Sequence, residues 1–247
     1  MALTAQLSFV ARSRGAGQTV VLRAGHESVV IDPDGSTAVD TVGVSDISIL
    51  ISSARDRCVA GAHRLIDALR RQAGPPRVTL WCPDGVGGAE LPDTDVALDS
   101  ARPGSLFALG PLEVSAFATS HGDVSRGYAF HLAEGAPPIL VYAGHTRPCY
   151  ATVEAARRAQ LLVHDASYHN ADGRLAGRRG RSTSGEAARV ADAAGVDQLV
   201  LNPSRALPAE QQSRVVSEAS RLFRNTRLAT DGLAFDLSAA GLLTVHA

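Results

Sequence analysis

Residues 139–150 read Ile139-Leu140-Val141-Tyr142-Ala143-Gly144-His145-Thr146-Arg147-Pro148-Cys149-Tyr150, and residues 161–168 read Leu161-Leu162-Val163-His164-Asp165-Ala166-Ser167-Tyr168. Each opens with a short apolar run, the length of a buried strand, and each passes at its end into a histidine-bearing polar turn. Between them the alanine-rich stretch from about Tyr150 to Ala159 predicts a helix. Strand, helix and strand in that order point to a layered α/β arrangement with helices outside sheets.

The pattern continues in both directions. Downstream, a helix is expected over Ser184 to Ala194, a strand over Gln198 to Leu201 and a helix over Ala209 to Phe223. Arg227-Leu228-Ala229, Leu233 to Leu237 and Gly241 to Val245 close the chain as strands around Asp231-Gly232. Upstream lie strands at Leu7 to Val10, Thr19 to Leu22, Ser28 to Ile31, Asp46 to Ile51, Val78 to Trp81, Leu112 to Ala118 and Tyr128 to Leu132. Arg14-Gly15-Ala16-Gly17 and Asp32-Pro33-Asp34-Gly35 read as turns. Over Cys58 to Arg71 the apolar residues Val59, Ala62, Leu65, Ile66 and Leu69 share one helical face, and Gly74-Pro75-Pro76 stops that helix. The stretches Gly87 to Gly104 and Gly173 to Arg181, the latter rich in arginine, are expected as mobile loops. One domain over residues 1–247 is the simplest division.

Composition narrows the chemistry. The chain has 24 basic and 25 acidic residues, and every basic one is arginine. Schiff-base, phosphate-loop and general-base lysines are therefore excluded. A net charge of -1 gives no global attraction to nucleic acid. Arginine and alanine usage points to a GC-rich bacterial genome. Cys58, Cys82 and Cys149 form neither a C-x-x-C pair nor an even framework, which fits a reducing compartment. No apolar run reaches membrane-spanning length and no leader pattern is present, so a cytoplasmic protein without membrane contact is expected.

The order of Trp81-Cys82-Pro83-Asp84-Gly85, Ser120-His121-Gly122, Tyr142 to Pro148, Leu161 to Tyr168, Ser182-Thr183 and Leu228-Ala229-Thr230-Asp231-Gly232 resembles the metallo-β-lactamase fold superfamily, in its ribonuclease Z and phosphodiesterase branch. The resemblance implies an α/β fold, a four-layer αββα sandwich. It also implies two metal ions held by histidines and aspartates at strand ends. The first motif of that family is T-H-x-H-x-D-H, and the matching turn here is Ile51-Ser52-Ser53-Ala54-Arg55-Asp56-Arg57. Ser52, Ala54 and Arg57 stand at its histidine positions, and Asp56 is kept. His121 matches the next histidine, and His145 stands where the family has a bridging aspartate. The last histidine is replaced near Asn202-Pro203-Ser204, and Arg181 replaces another.

Alanine offers a metal nothing, serine is a poor ligand, and a guanidinium stays protonated. The expectation is a site without metal or cofactor, although Asp56, His121 and His145 leave a one-metal hydrolase as the alternative. Without metal, the source of hydroxide is lost. The 23 residues between His121 and His145 suffice for strand, turn and strand and leave no room for the family's tRNA-gripping arm, so tRNA is not an expected partner.

Three readings of the cleft stay open. Ser52, Arg57, Arg147, Arg181 and Asn202 could bind an anionic small molecule, or the arginines could be internal ion pairs with Asp56, Asp165 or Asp231. His121, His145, His164 and Asp56 could perform acid–base catalysis without metal. The chain could also be a pseudoenzyme subunit, and the resemblance implies a homodimer or a heterodimer with an active paralogue. No cysteine is expected to be a nucleophile. His26, His63, His131, His169 and His246 read as surface or edge residues.

Overall fold

The computed structural model describes residues 3–11, 18–34, 36, 39–53, 56–83, 96–121, 124–204, 207–241 and 243–246. The first half gives strands β1 (Thr4–Ala11), β2 (Gln18–Ala24), β3 (Glu27–Ile31), β4 (Asp46–Leu50), β5 (Arg77–Cys82), β6 (Val96–Ser100), β7 (Leu106–Leu109) and β8 (Leu112–Ala118), with helix α1 (Asp56–Arg70) before β5. The second half gives β9 (Arg126–His131), β10 (Leu140–Tyr142), α2 (Tyr150–Ala155), β11 (Leu161–His164), α3 (Gly173–Arg178) and α4 (Ser184–Ala194). It ends with β12 (Gln198–Leu201), α5 (Ala209–Ser220), β13 (Thr226–Leu228), β14 (Ala234–Ser238) and β15 (Leu243–His246).

Two sheets result. One has the order β15-β14-β1-β2-β3-β4-β5-β6 and the other β13-β12-β11-β10-β9-β8-β7. Alternation in the strands decides what lies between them. Leu7, Phe9, Leu22 and Ile31 meet Val114, Phe130, Leu140 and Val163 in the central core. Ile47 and Ile49, on the other face of the first sheet, pack on Val59, Ala62, Leu65, Ile66 and Leu69 of α1. Leu162, Leu199 and Leu201 do the same on the second sheet, against α4 and α5. Strands buried on both faces read as near-continuous apolar runs, as these do. The layers are helix, sheet, sheet and helix, the expected αββα sandwich.

Three expectations about elements are corrected, and one about burial. Residues 96–100, assigned to a loop, form β6, paired in parallel with β5 from Val78↔Val96 to Cys82↔Ser100; residues 87–95 of that loop fall outside the described residues. Leu106–Leu109, left unassigned, forms β7. The arginine-rich stretch carries helix α3, with Arg179 N–H donating to Leu175 O at 3.1 Å. His169 is buried rather than at the surface, beside Glu218 at 3.8 Å. The turn at residues 14–17 lies outside the described residues.

Topology places the site. Strands β3, β4 and β5 run parallel, as do β10, β11 and β12. The carboxyl ends of such strands are where an open α/β sheet leaves a crevice. Asp32 follows β3, Ser52 follows β4, His145 follows β10, His164 ends β11 and Asn202 follows β12.

Candidate functional site

Asp32 organises the first-sheet side. It is buried with φ +50°, a left-handed conformation that aspartate tolerates better than most side chains. One carboxylate oxygen accepts from the Ser52 backbone N–H at 2.8 Å, and the other accepts from Ser52 Oγ at 2.5 Å and Tyr142 Oη at 2.8 Å. Tyr128 Oη donates to Ile51 O at 2.7 Å. Two tyrosines of the second sheet thus hold the strand ends of the first. Gly144, with φ +60°, sits so close that a Cβ there would lie 3.0 Å from Ser52 Oγ.

Thr146 gathers the second-sheet side. Its Oγ1 accepts from Ser120 N–H at 2.9 Å, while its carbonyl accepts from Ser182 Oγ at 2.8 Å. Three loops are thereby tied together, bringing His121, His145 and Arg181 into one place. The His121 and His145 rings are 5.7 Å apart, tilted by 52°. A capping box, Thr183 with Glu186, fixes the start of α4 just after Arg181.

The charges are buried here. The Arg181 guanidinium donates to His145 Nδ1 and lies 3.6 Å from Asp165 Oδ2, with both side chains inaccessible to solvent or nearly so. At that distance the pair is ionic rather than hydrogen-bonded. Ser167 Oγ donates to Asp165 Oδ1 and stands 2.8 Å from Ser204 Oγ. Of the two readings for the arginines, the internal ion pair with Asp165 therefore describes Arg181.

His164 is fully buried. Its Nδ1 faces the Asp165 carbonyl at 2.9 Å, and Nε2 has no hydrogen-bond partner among the described residues. Burial, opposed by its backbone hydrogen bond and by Asp165, holds the imidazole below its ordinary pKa. The unfolded chain takes up this proton as pH falls through about 6.5, whereas the folded one resists it, so stability drops toward acid. We predict that His164→Gln removes a slope of up to about 1.4 kcal/mol per pH unit below pH 6.5. Urea melts of both proteins from pH 7.5 to 5 read it. A stability difference that stays constant with pH is the contrary outcome.

Tyr142, Gly144, His145, His164, Asp165, Asn202 and Ser204 help line a cavity of about 10 Å³, close to the least volume that holds one water. Asn202 also ties down β2, its amide exchanging two hydrogen bonds with the Gln18 backbone at 2.8 and 3.0 Å. Arg147, two residues after His145, is exposed, with Nη2 3.3 Å from Ser120 Oγ. The side chains of Asp56 and Arg57 lie outside the described residues. Asp32 is the residue that sequence reasoning missed. Its local signal, an aspartate directly after a strand, read as an ordinary turn.

This architecture has close structural counterparts. The metallo-β-lactamase fold protein YhfI of Bacillus subtilis superposes with a TM-score of 0.78 over 94% of this chain and 99% of its own, at 16% identity. The chain has the metallo-β-lactamase fold. Human tRNase Z, short form, superposes with a TM-score of 0.67 over 93% of this chain and 98% of its own, at 17% identity. In sequence, ribonuclease Z of Gemmatimonas aurantiaca is 38% identical over 99 residues, 40% of this chain and 32% of that protein. Over those 99 residues the chain is similar in sequence to ribonuclease Z. The chain spans about a third of the length of that curated relative. No protein-family model matches it.

Proposed function

We propose that this chain is a metal-independent, ribonuclease Z-like protein whose arginine- and histidine-lined cleft binds a small anion. The observation that carries the reading is the Arg181 guanidinium on His145 Nδ1 and beside Asp165. The superfamily implies metal ions at this end of the sheets, and the donor set does not fit a pair of them. A nitrogen whose lone pair accepts from a guanidinium is not offering it to a metal. A dication about 4 Å from that guanidinium meets about 8 kcal/mol of repulsion at an effective dielectric of 20. The carboxylate of Asp165, already paired, offsets half of this at most. Ser52, at a family histidine position, spends its hydroxyl on Asp32. Among the described residues no three His, Cys, Asp or Glu side chains are grouped to hold a metal.

The cavity is too small for an organic anion, so the ligand's place is the rim, where the exposed Arg147 offers a planar fork of donors. His121 and His145 lie beneath as acid–base groups. No helix among the described residues is long and apolar enough to cross a membrane. The interval from His121 to His145 carries β9, a turn and β10, which supports the reading without an RNA-gripping arm. The relatives named ribonuclease Z nevertheless keep RNA in the test.

Titration calorimetry with inorganic phosphate, nucleotides and a short RNA, together with elemental analysis, tests this. We expect submillimolar binding of one of the small anions, weakened about tenfold by Arg147→Ala, without stoichiometric metal. Absence of binding sends the protein to a non-enzymatic assembly role, as a homodimer or with a paralogue. A second reading, a mononuclear-metal hydrolase, draws on the 5.7 Å separation of the His121 and His145 rings. Stoichiometric zinc or manganese with phosphodiesterase activity would establish it instead.

A further inference from the structure

We propose that Arg181 is the resident cation of the site and the positioning residue for His145. Its guanidinium takes the place between His145 Nδ1 and the Asp165 carboxylate that an added cation would otherwise fill. A guanidinium has donors and no acceptor. Its hydrogen bond to Nδ1 therefore makes that nitrogen the acceptor, and the imidazole is neutral with its proton on Nε2. The other two imidazoles are set the opposite way. His121 Nδ1 faces Gly180 O at 2.7 Å, and His164 Nδ1 faces Asp165 O at 2.9 Å. A carbonyl only accepts, so in both rings Nδ1 carries a proton, and in the neutral form of each ring Nε2 holds the lone pair. The arrangement is one Nε2–H donor and two Nε2 acceptors, with Arg181 deciding which ring is the donor.

The backbone is built to hold this arginine in place. Arg181 N–H donates to Ala176 O at 2.9 Å, back onto α3. Gly180 turns the chain with φ +64°, and a Cβ there would lie 2.8 Å from His121 Nδ1. The side chain then enters a buried space where Asp165, itself fully enclosed, supplies a counter-charge. A metal ion would hold a neutral imidazole by one nitrogen and leave the other protonated. The guanidinium does the same by a hydrogen bond. This inference rests on the metal-independent reading, because a metal on Nδ1 would displace Arg181.

Chemical rescue separates charge from packing. In Arg181→Ala, millimolar guanidinium is expected to restore at least half of the lost thermal midpoint. Urea, of the same shape and uncharged, is expected to restore none. Arg181→Lys, which keeps the cation, is expected to fold and melt closer to the parent than Arg181→Met. Equal losses in Lys and Met variants, or rescue by urea as well, overturn the proposal. The ¹⁵N spectrum of histidine-labelled parent protein gives an answer that needs no variant. His145 is expected to show a pyridine-type Nδ1, with His121 and His164 protonated at Nδ1, and an Nδ1–H on His145 refutes the assignment. Zinc bound stoichiometrically to the parent protein overturns the metal-independent reading, whatever the rescue result.

Discussion

Asp165→Ala is expected to lower the unfolding free energy by about 3–5 kcal/mol, among the largest effects available to a single side chain here. The substitution takes from the buried Arg181 guanidinium its carboxylate partner and from Ser167 the oxygen it donates to. A buried charge that loses a carboxylate partner carries more of its desolvation cost unrelieved, which is why the loss exceeds the worth of the pair. Adding Arg181→Met to the same chain is expected to recover about 2 kcal/mol, since residues in one ionic network are not additive. The exposed pair of Arg77 and Asp46 is the control. It is shorter, at 2.6 Å, but Arg77 is 84% exposed, and its loss is expected to cost under about 1 kcal/mol. Urea melts of the singles and the double at pH 7.5 provide the comparison. Single losses that simply add would show that Arg181 and Asp165 are solvated independently.

Much of this architecture was legible where local chemistry agreed with tertiary need. Helix α4 was expected over Ser184 to Ala194 and lies there, because Thr183 caps its start and Gly195 takes a left-handed conformation at its end. Strands β11 and β12 were read at their observed limits, being apolar runs between turn residues. Strand β6 was not legible. Its five residues, Val96-Ala97-Leu98-Asp99-Ser100, follow a stretch rich in glycine and aspartate and become a strand through pairing with β5. Helix α3 was hidden by its two glycines, which are poor helix formers, and by its length of six residues. In the site, Arg181 was found through the resemblance, and its ion pair with Asp165 was one of the alternatives kept open. Asp32 escaped because its meaning is nonlocal: its carboxylate is shared by Ser52, 20 residues away, and Tyr142, 110 residues away. No period or propensity encodes such a meeting.

Gly61→Ala is expected to destabilise the protein by about 3 kcal/mol, although alanine is ordinarily the better residue in a helix. Gly61 lies in the second turn of α1, on the side facing the segment after β3. A Cβ there would stand 1.9 Å from Pro33 O, 2.8 Å from Pro33 C and 3.0 Å from Asp34 Cα. All three are backbone atoms, so no side-chain rotation relieves the clash. Either α1 lifts from the first sheet, opening space around Ala62, Leu65 and Ile66, or the 32–34 segment shifts. The second course disturbs Asp32, whose carboxylate holds Ser52 and Tyr142 at the strand ends. Helix propensity offers about 1 kcal/mol in return, too little to offset either movement. A Cβ added at Gly177, in α3, would meet nothing within 4 Å among the described residues, so Gly177→Ala supplies the reference in which propensity acts alone. Denaturant midpoints are expected to move in opposite directions for the two variants with slopes unchanged. A Gly61→Ala midpoint at or above the parent's would mean that α1 does not approach Pro33 this closely.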